Sequence, residues 1–108
     1  MKRAVRFTKA ARADLEEIYE WIAEHDSPAH ADYVLDHLSA AAARIAGLPG
    51  SGSRPRELPP GMKADYRQVF FKPYRVIYQV RQNEIVIHLI ADGRRNLQML
   101  LLRRLIAE

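Results

Sequence analysis

Apolar residues recur in two periods along this chain, and the change from one to the other divides it. Ala11, Leu15, Ile18 and Ile22 are spaced by four, three and four positions, with Tyr19 alongside, the pattern of an amphipathic helix. Thr8 supplies a capping oxygen before it, and the acids and Trp21 fall on its outer face. The helix is predicted to end near His25 and Asp26, because Ser27-Pro28 is a start signal: a capping serine followed by a proline at the first helical position. Ala31, Val34, Leu35, Leu38, Ala42 and Ile45 then predict a second helix, stopped between Ala46 and Leu48 by Gly47 and Pro49. The short connection implies an antiparallel helical hairpin.

From Tyr66 to Arg95 the period becomes two. Three runs of β-branched and aromatic residues, separated by Lys72-Pro73 and Gln82-Asn83, predict a three-stranded antiparallel meander. In the middle run Tyr74, Val76, Tyr78 and Val80 share one face, and Arg75, Ile77, Gln79 and Arg81 the other; the first reads as core and the second as cationic. The third run, Ile85 to Ala91, is apolar on both faces apart from His88, as expected of a central or doubly covered strand. Ala4 to Phe7 reads as a further short strand. Pro49 to Gly61 is rich in breakers and reads as a surface loop; its glycines make no phosphate cradle, since no Gly-Lys-Ser/Thr follows them.

After the meander, Asn96 is placed to cap a helix carrying Leu97, Leu100, Leu101 and Leu105, with Met99, Leu102 and Ile106 widening its apolar surface. So broad a surface implies either complete docking or contact with another chain. The expected fold is α+β, with the hairpin of Thr8 to Gly47 packed across one face of a mostly antiparallel sheet and a short C-terminal helix. The expected core includes Leu15, Ile18, Ile22, Val34, Leu38, Ile45, Val76, Tyr78 and Val80.

Charge changes the picture more than composition does. Net charge is +4 over 108 residues, but its distribution is uneven. Between Lys9 and Gly47 three basic residues face eight acidic ones, whereas from Leu48 onward eleven face five, and the first eight residues add three more basic groups. Such segregation suits an anionic partner for the sheet side, either nucleic acid or an acidic protein segment. One domain over residues 1–108, without cysteine, signal-peptide pattern or membrane-length apolar run, is expected to be a soluble cytoplasmic protein.

Little conventional catalytic chemistry is present. The serines sit in a cap, a helix and a loop, and Glu16, Glu17, Glu20 and Glu24 read as a solvated helix face. His30 and His37 lie two turns apart with nothing placed to complete a metal site, so no metal or cofactor is expected. What remains is Arg67, Arg75, Arg81, Arg94 and Arg95, with Lys63, Lys72 and His88 near them in sequence. Arginines on a sheet can bind phosphate, stabilise a phosphorane during RNA cleavage, hold a partner's carboxylates, or keep an open face soluble.

The order strand, hairpin, meander, with FTKAARADLEEIYEWI, GLPGSGSRPRELPPGMKADYRQV, PYRVIYQV and IVIHLIADGRR, resembles the RelE/ParE superfamily of bacterial type II toxins from Arg6 to Arg95. The resemblance implies two helices on an antiparallel sheet and neutralisation by a cognate antitoxin, ParD-like, with a ribbon-helix-helix amino terminus and an acidic or amphipathic C-terminal segment. Its RelE branch cleaves ribosome-bound messenger RNA, which would put Arg67, Arg75 and Arg95 on the scissile phosphate with His88 as base. The segment after Arg95 contains no tyrosine, however, and Leu101 stands about where that branch has one. The first helix and the GLPGSGSRP loop are more similar to the ParE branch, which poisons DNA gyrase without nuclease chemistry. On that reading Arg67, Arg75, Arg94, Arg95, Leu97, Leu100, Leu101 and Leu105 form the antitoxin- or target-binding surface, and direct contact with nucleic acid is left open.

Overall fold

A computed structural model describes residues 3–107, so Lys2 and Glu108, counted in the charge map, lie outside the described residues. The elements follow the order β1 (Ala4–Phe7), α1 (Lys9–His25), α2 (Pro28–Gly47), β2 (Asp65–Phe71), β3 (Tyr74–Val80), β4 (Glu84–Asp92) and α3 (Gln98–Ala107). The local signals account for the helix starts. Thr8 Oγ1 accepts from the Ala11 amide at 3.0 Å, Ser27 Oγ from the His30 amide at 3.0 Å, and Asn96 Oδ1 from the Gln98 amide at 3.1 Å.

The sheet has the order β1-β4-β3-β2; β2, β3 and β4 form the antiparallel meander, and β1 joins β4 in parallel. The apolar run of β4 is therefore explained by its central position. The helical hairpin covers one sheet face, where Ile22, Val34, Leu38 and Ile45 meet Val76, Tyr78, Ile85, Ile87 and Ile90. Leu15, Ile18 and Val80, expected in this core, are only half-buried at its margin.

The other sheet face departs from expectation. It is not an open cationic surface: Leu58, Ile77, Leu89, Ala91, Leu97 and Leu101 form a second core there, between the sheet, α3 and the segment after α2. That segment is a packed strap rather than a bare surface loop. Ser53 bridges to Gln68 on the edge strand, and Gly52 donates its amide to the Tyr78 hydroxyl at 3.2 Å. A Cβ at Gly52 would lie 2.5 Å from that hydroxyl and 2.7 Å from the Gln68 carbonyl oxygen, so the close approach requires glycine.

One irregularity in β4 controls what faces where. Ile77 pairs with Leu89 but Tyr78 pairs with Ile87, leaving His88 as an extra residue in the ladder. This β-bulge reverses the alternation, so that Ile85 and Ile87 face the hairpin, and so does Ile90 beyond it, while Leu89 and Ala91 face α3. No helix among the described residues is long and apolar enough to cross a membrane.

Candidate functional site

The arginines singled out in the sequence do not converge. Arg75 on β3 is only 5% exposed and forks onto Glu57, also buried, with Nη1 2.6 Å from Oε2 and Nη2 2.8 Å from Oε1. Its Nε donates to Gln68 Oε1 at 2.9 Å, and Nη2 contacts the same oxygen. The strap carries Glu57 over the strand, which is why the expected exposed cation is a buried, neutralised one. Hydrogen bonds from Arg75 hold the Glu57 carboxyl below the usual carboxylate range, against the opposing effect of burial. Gly93 closes over the pair from the far side; a Cβ there would come within 2.8 Å of the Arg75 side-chain carbons. Glu57 could not be picked out in the sequence, because no periodicity links it to a strand residue 18 positions away.

Arg67 and His88 are likewise committed to the structure. Arg67 donates from Nη1 to the carbonyls of Gly50 at 3.1 Å and Gly52 at 3.0 Å, and from Nε to Asp65 at 2.9 Å, tying the strap to β2. His88, the bulged residue, is buried with Nε2 3.2 Å from Gln79 Oε1 and Tyr66 edge-on to its ring. A base in that position is shut off from any substrate. Leu97 and Leu101, expected on a docking surface, are fully buried in the second core, because α3 turns this face to Ile77 and Leu89. Leu100 and Leu105 are half-buried at its edge.

Arg94 and Arg95 remain at the surface. Arg94 forks onto Asp92 with Nη2 2.6 Å from Oδ2 and Nε 2.9 Å from Oδ1, and its side-chain and backbone hydrogen bonds pull the Asp92 carboxyl down to about 2. Arg95 is exposed and makes no side-chain hydrogen bond or ion pair among the described residues.

These two residues rim a hollow of about 580 Å³ between α1, the end of β4 and α3. Ile18, Trp21, Tyr74, Ile90 and Leu100 give it apolar walls; Glu17 and Asp92 share its rim with the two arginines. A second, polar hollow of about 420 Å³ lies on the other side of Arg95, lined by Arg56, Asn96 and Gln98. The arrangement suits an apolar side chain set in the first hollow with a carboxylate or other anion against the guanidinium of Arg95.

A different surface lies at the hairpin turn. Trp21 stacks on His25 at 4.4 Å, and Tyr33, His37 and Phe71 form a chain of ring contacts at 4.1 and 4.8 Å. His30 is held by Asp26 at 2.5 Å and His37 by the Tyr33 carbonyl at 2.8 Å, so the two histidines do not share a site.

A family model described as the ParE toxin of the type II toxin-antitoxin system, parDE, matches residues 5–97. The chain is 29% identical over 97 residues to Toxin ParE3 of Caulobacter vibrioides, covering 90% of this chain and 92% of that protein. Among solved structures it resembles the chromosomal ParDE TA system from P. aeruginosa, with a TM-score of 0.71 at 22% identity over 84% of this chain and 96% of that one, a likeness of fold.

Proposed function

The chain belongs to the ParE toxin family of type II toxin-antitoxin systems, and from that membership we propose that it inhibits DNA gyrase without cleaving RNA and is neutralised by a cognate ParD-like antitoxin. The observation that carries the non-nuclease part is the buried fork of Arg75 on Glu57. A guanidinium already neutralised by a carboxylate has little charge to offer a scissile phosphate, and extracting it would leave Glu57 buried and unpaired. With Arg67 spent on backbone carbonyls and Asp65, and His88 enclosed, Arg95 alone of the four nuclease candidates is both exposed and uncommitted among the described residues.

The neutralising contact is assigned to the hollow beside Arg94 and Arg95, with Leu100 in its wall and Leu105 at the edge of the second core. An antitoxin segment that orders on binding needs apolar burial to offset its lost entropy and charge complementarity to orient it. Both are offered there. The gyrase target places the protein's action in the bacterial cytoplasm.

Expression of the toxin alone, followed by parallel assays for gyrase-dependent DNA breaks and for cleavage of ribosome-bound message, tests the reading. DNA breaks that disappear when the adjoining gene is co-expressed are the expected result. Message cleavage without DNA damage would overturn it.

A further inference from the structure

The polar hollow beside Arg95 is built from two turns that the structure fastens together. One is the strap turn of Pro55 to Leu58, closed by the Leu58 amide on the Pro55 carbonyl at 3.4 Å and seated by the burial of both end residues. It sends Glu57 inward onto Arg75 and leaves Arg56 exposed. The other is the exit from β4, where the Arg95 amide donates to the Asp92 carbonyl at 3.1 Å and Asn96 caps α3. Gln98 Nε2 donates to the Glu57 carbonyl at 2.7 Å and so joins the two turns. The result is a recess of about 420 Å³ lined by both Arg56 and Arg95. Its other charged groups are already spent. Arg94 is forked onto Asp92, and both side-chain oxygens of Glu57 are taken by Arg75. Arg56 and Arg95 are exposed and make no side-chain hydrogen bond or ion pair among the described residues.

We infer that Arg56 and Arg95 together hold the sugar-phosphate backbone of duplex DNA. The contact goes beyond the gyrase reading and rests on it only for its role, a grip on the DNA that gyrase handles. The lining of the recess selects the occupant. Two unpaired guanidiniums held at one hollow call for an anion, and their forked donors match phosphate oxygens. A peptide that orders on binding must bury apolar surface, and the recess offers only Leu97, which its own core already covers. Single-stranded nucleic acid is held largely by stacking its bases on aromatic rings, and no aromatic side chain among the described residues lines the recess. A duplex keeps its bases stacked on one another and turns its phosphates outward, so charge and hydrogen bonding suffice. Both arginines stand on anchored turns, which leaves little backbone freedom to lose on binding.

The test titrates purified toxin against a short fluorescent DNA duplex and follows anisotropy at several salt concentrations. The forms compared are wild type, Arg56→Ala, Arg95→Ala, the double variant, and Arg44→Ala as a control at an exposed arginine of α2. Circular dichroism and thermal melting confirm that each is folded. Wild-type affinity is expected to fall about tenfold for a fourfold rise in salt, as two phosphate contacts require. The slope of log affinity against log salt should become shallower by about one for each arginine removed, to the same extent on a duplex of unrelated sequence, while Arg44→Ala matches wild type. A wild-type slope in the double variant overturns the proposal, as does tighter binding of single-stranded RNA of the same length or of a polyglutamate peptide. Gyrase-dependent DNA breaks, scored separately, keep the two readings apart. Binding of the duplex through both arginines without such breaks would leave the DNA contact standing and sink the gyrase reading; breaks from a toxin that does not bind the duplex sink only this inference.

Discussion

Asp14 on α1 and Arg104 on α3, 90 residues apart, meet in a two-pronged ion pair with Oδ1–Nη2 2.6 Å and Oδ2–Nη1 2.8 Å. Its position follows from the end of β1. That strand stops at Phe7, opposite Ile87, and beyond it the edge of β4 has no strand partner. Asp14 Oδ2 accepts from the Ile90 amide at 2.9 Å, and Arg104 Nη1 donates to the His88 carbonyl at 2.9 Å. The pair thus completes the backbone hydrogen bonding around the bulge and fastens α3 to the hairpin layer. The Asp14 hydrogen bond also raises the Arg104 pKa.

Removing either partner leaves a largely buried charge and an open backbone group. Asp14→Ala and Arg104→Ala are each expected to cost about 2–4 kcal/mol in urea unfolding. The double variant should lose less than the sum, since both remove one interaction. Additive losses would show that the two side chains act independently.

The Arg75–Glu57 pair should behave in the same manner with a larger penalty. Glu57→Ala strands a buried guanidinium and is expected to cost about 3–5 kcal/mol. Glu57→Leu with Arg75→Met replaces the pair by apolar groups and should recover most of that loss. A double replacement as unstable as the single one would mean that Gln68 and the strap depend on the charges themselves.

Core truncations should separate two leucines that look alike in the sequence. Leu38 is 2% exposed, and Leu38→Ala is expected to cost about 2–5 kcal/mol. Leu15 is half-buried and borders a surface groove with Tyr19 and Leu35, so Leu15→Ala should cost about 1 kcal/mol. Equal losses in chemical denaturation would show that α1 packs more deeply than described.

Acid stability has a defined sign. Glu57 and Asp92 both have folded-state pKa values below the ordinary carboxylate range, Asp92 at about 2. The unfolded chain therefore binds protons more readily, so the stabilisation is fully present above about pH 5, erodes through the ordinary range near pH 4, and is lost as pH falls toward 2. Asp92→Asn should flatten this acid limb. Urea midpoints between pH 2 and 6 that fall equally steeply in wild type and variant would refute the assignment.

Much of this protein was determined locally and could be read from its residues. The caps at Thr8, Ser27 and Asn96, the helical spacing of Ile22, Val34, Leu38 and Ile45, and the alternation of Val76 and Tyr78 are short-range patterns, each set by the backbone geometry of its own element. The tertiary structure decided which faces stayed exposed. Arg75 is neutralised by a residue 18 positions away, Asp14 is joined to α3 across 90, and the bulge at His88 reverses the facing of β4. Such pairings depend on the path of the strap and on where β1 ends, neither of which leaves a periodic mark in the sequence. For the same reason the terminal helix disclosed its apolar breadth in its residues, but the division into a buried side at Leu97 and Leu101 and an outer side at Met99 and Ile106 appeared only once the helix was docked.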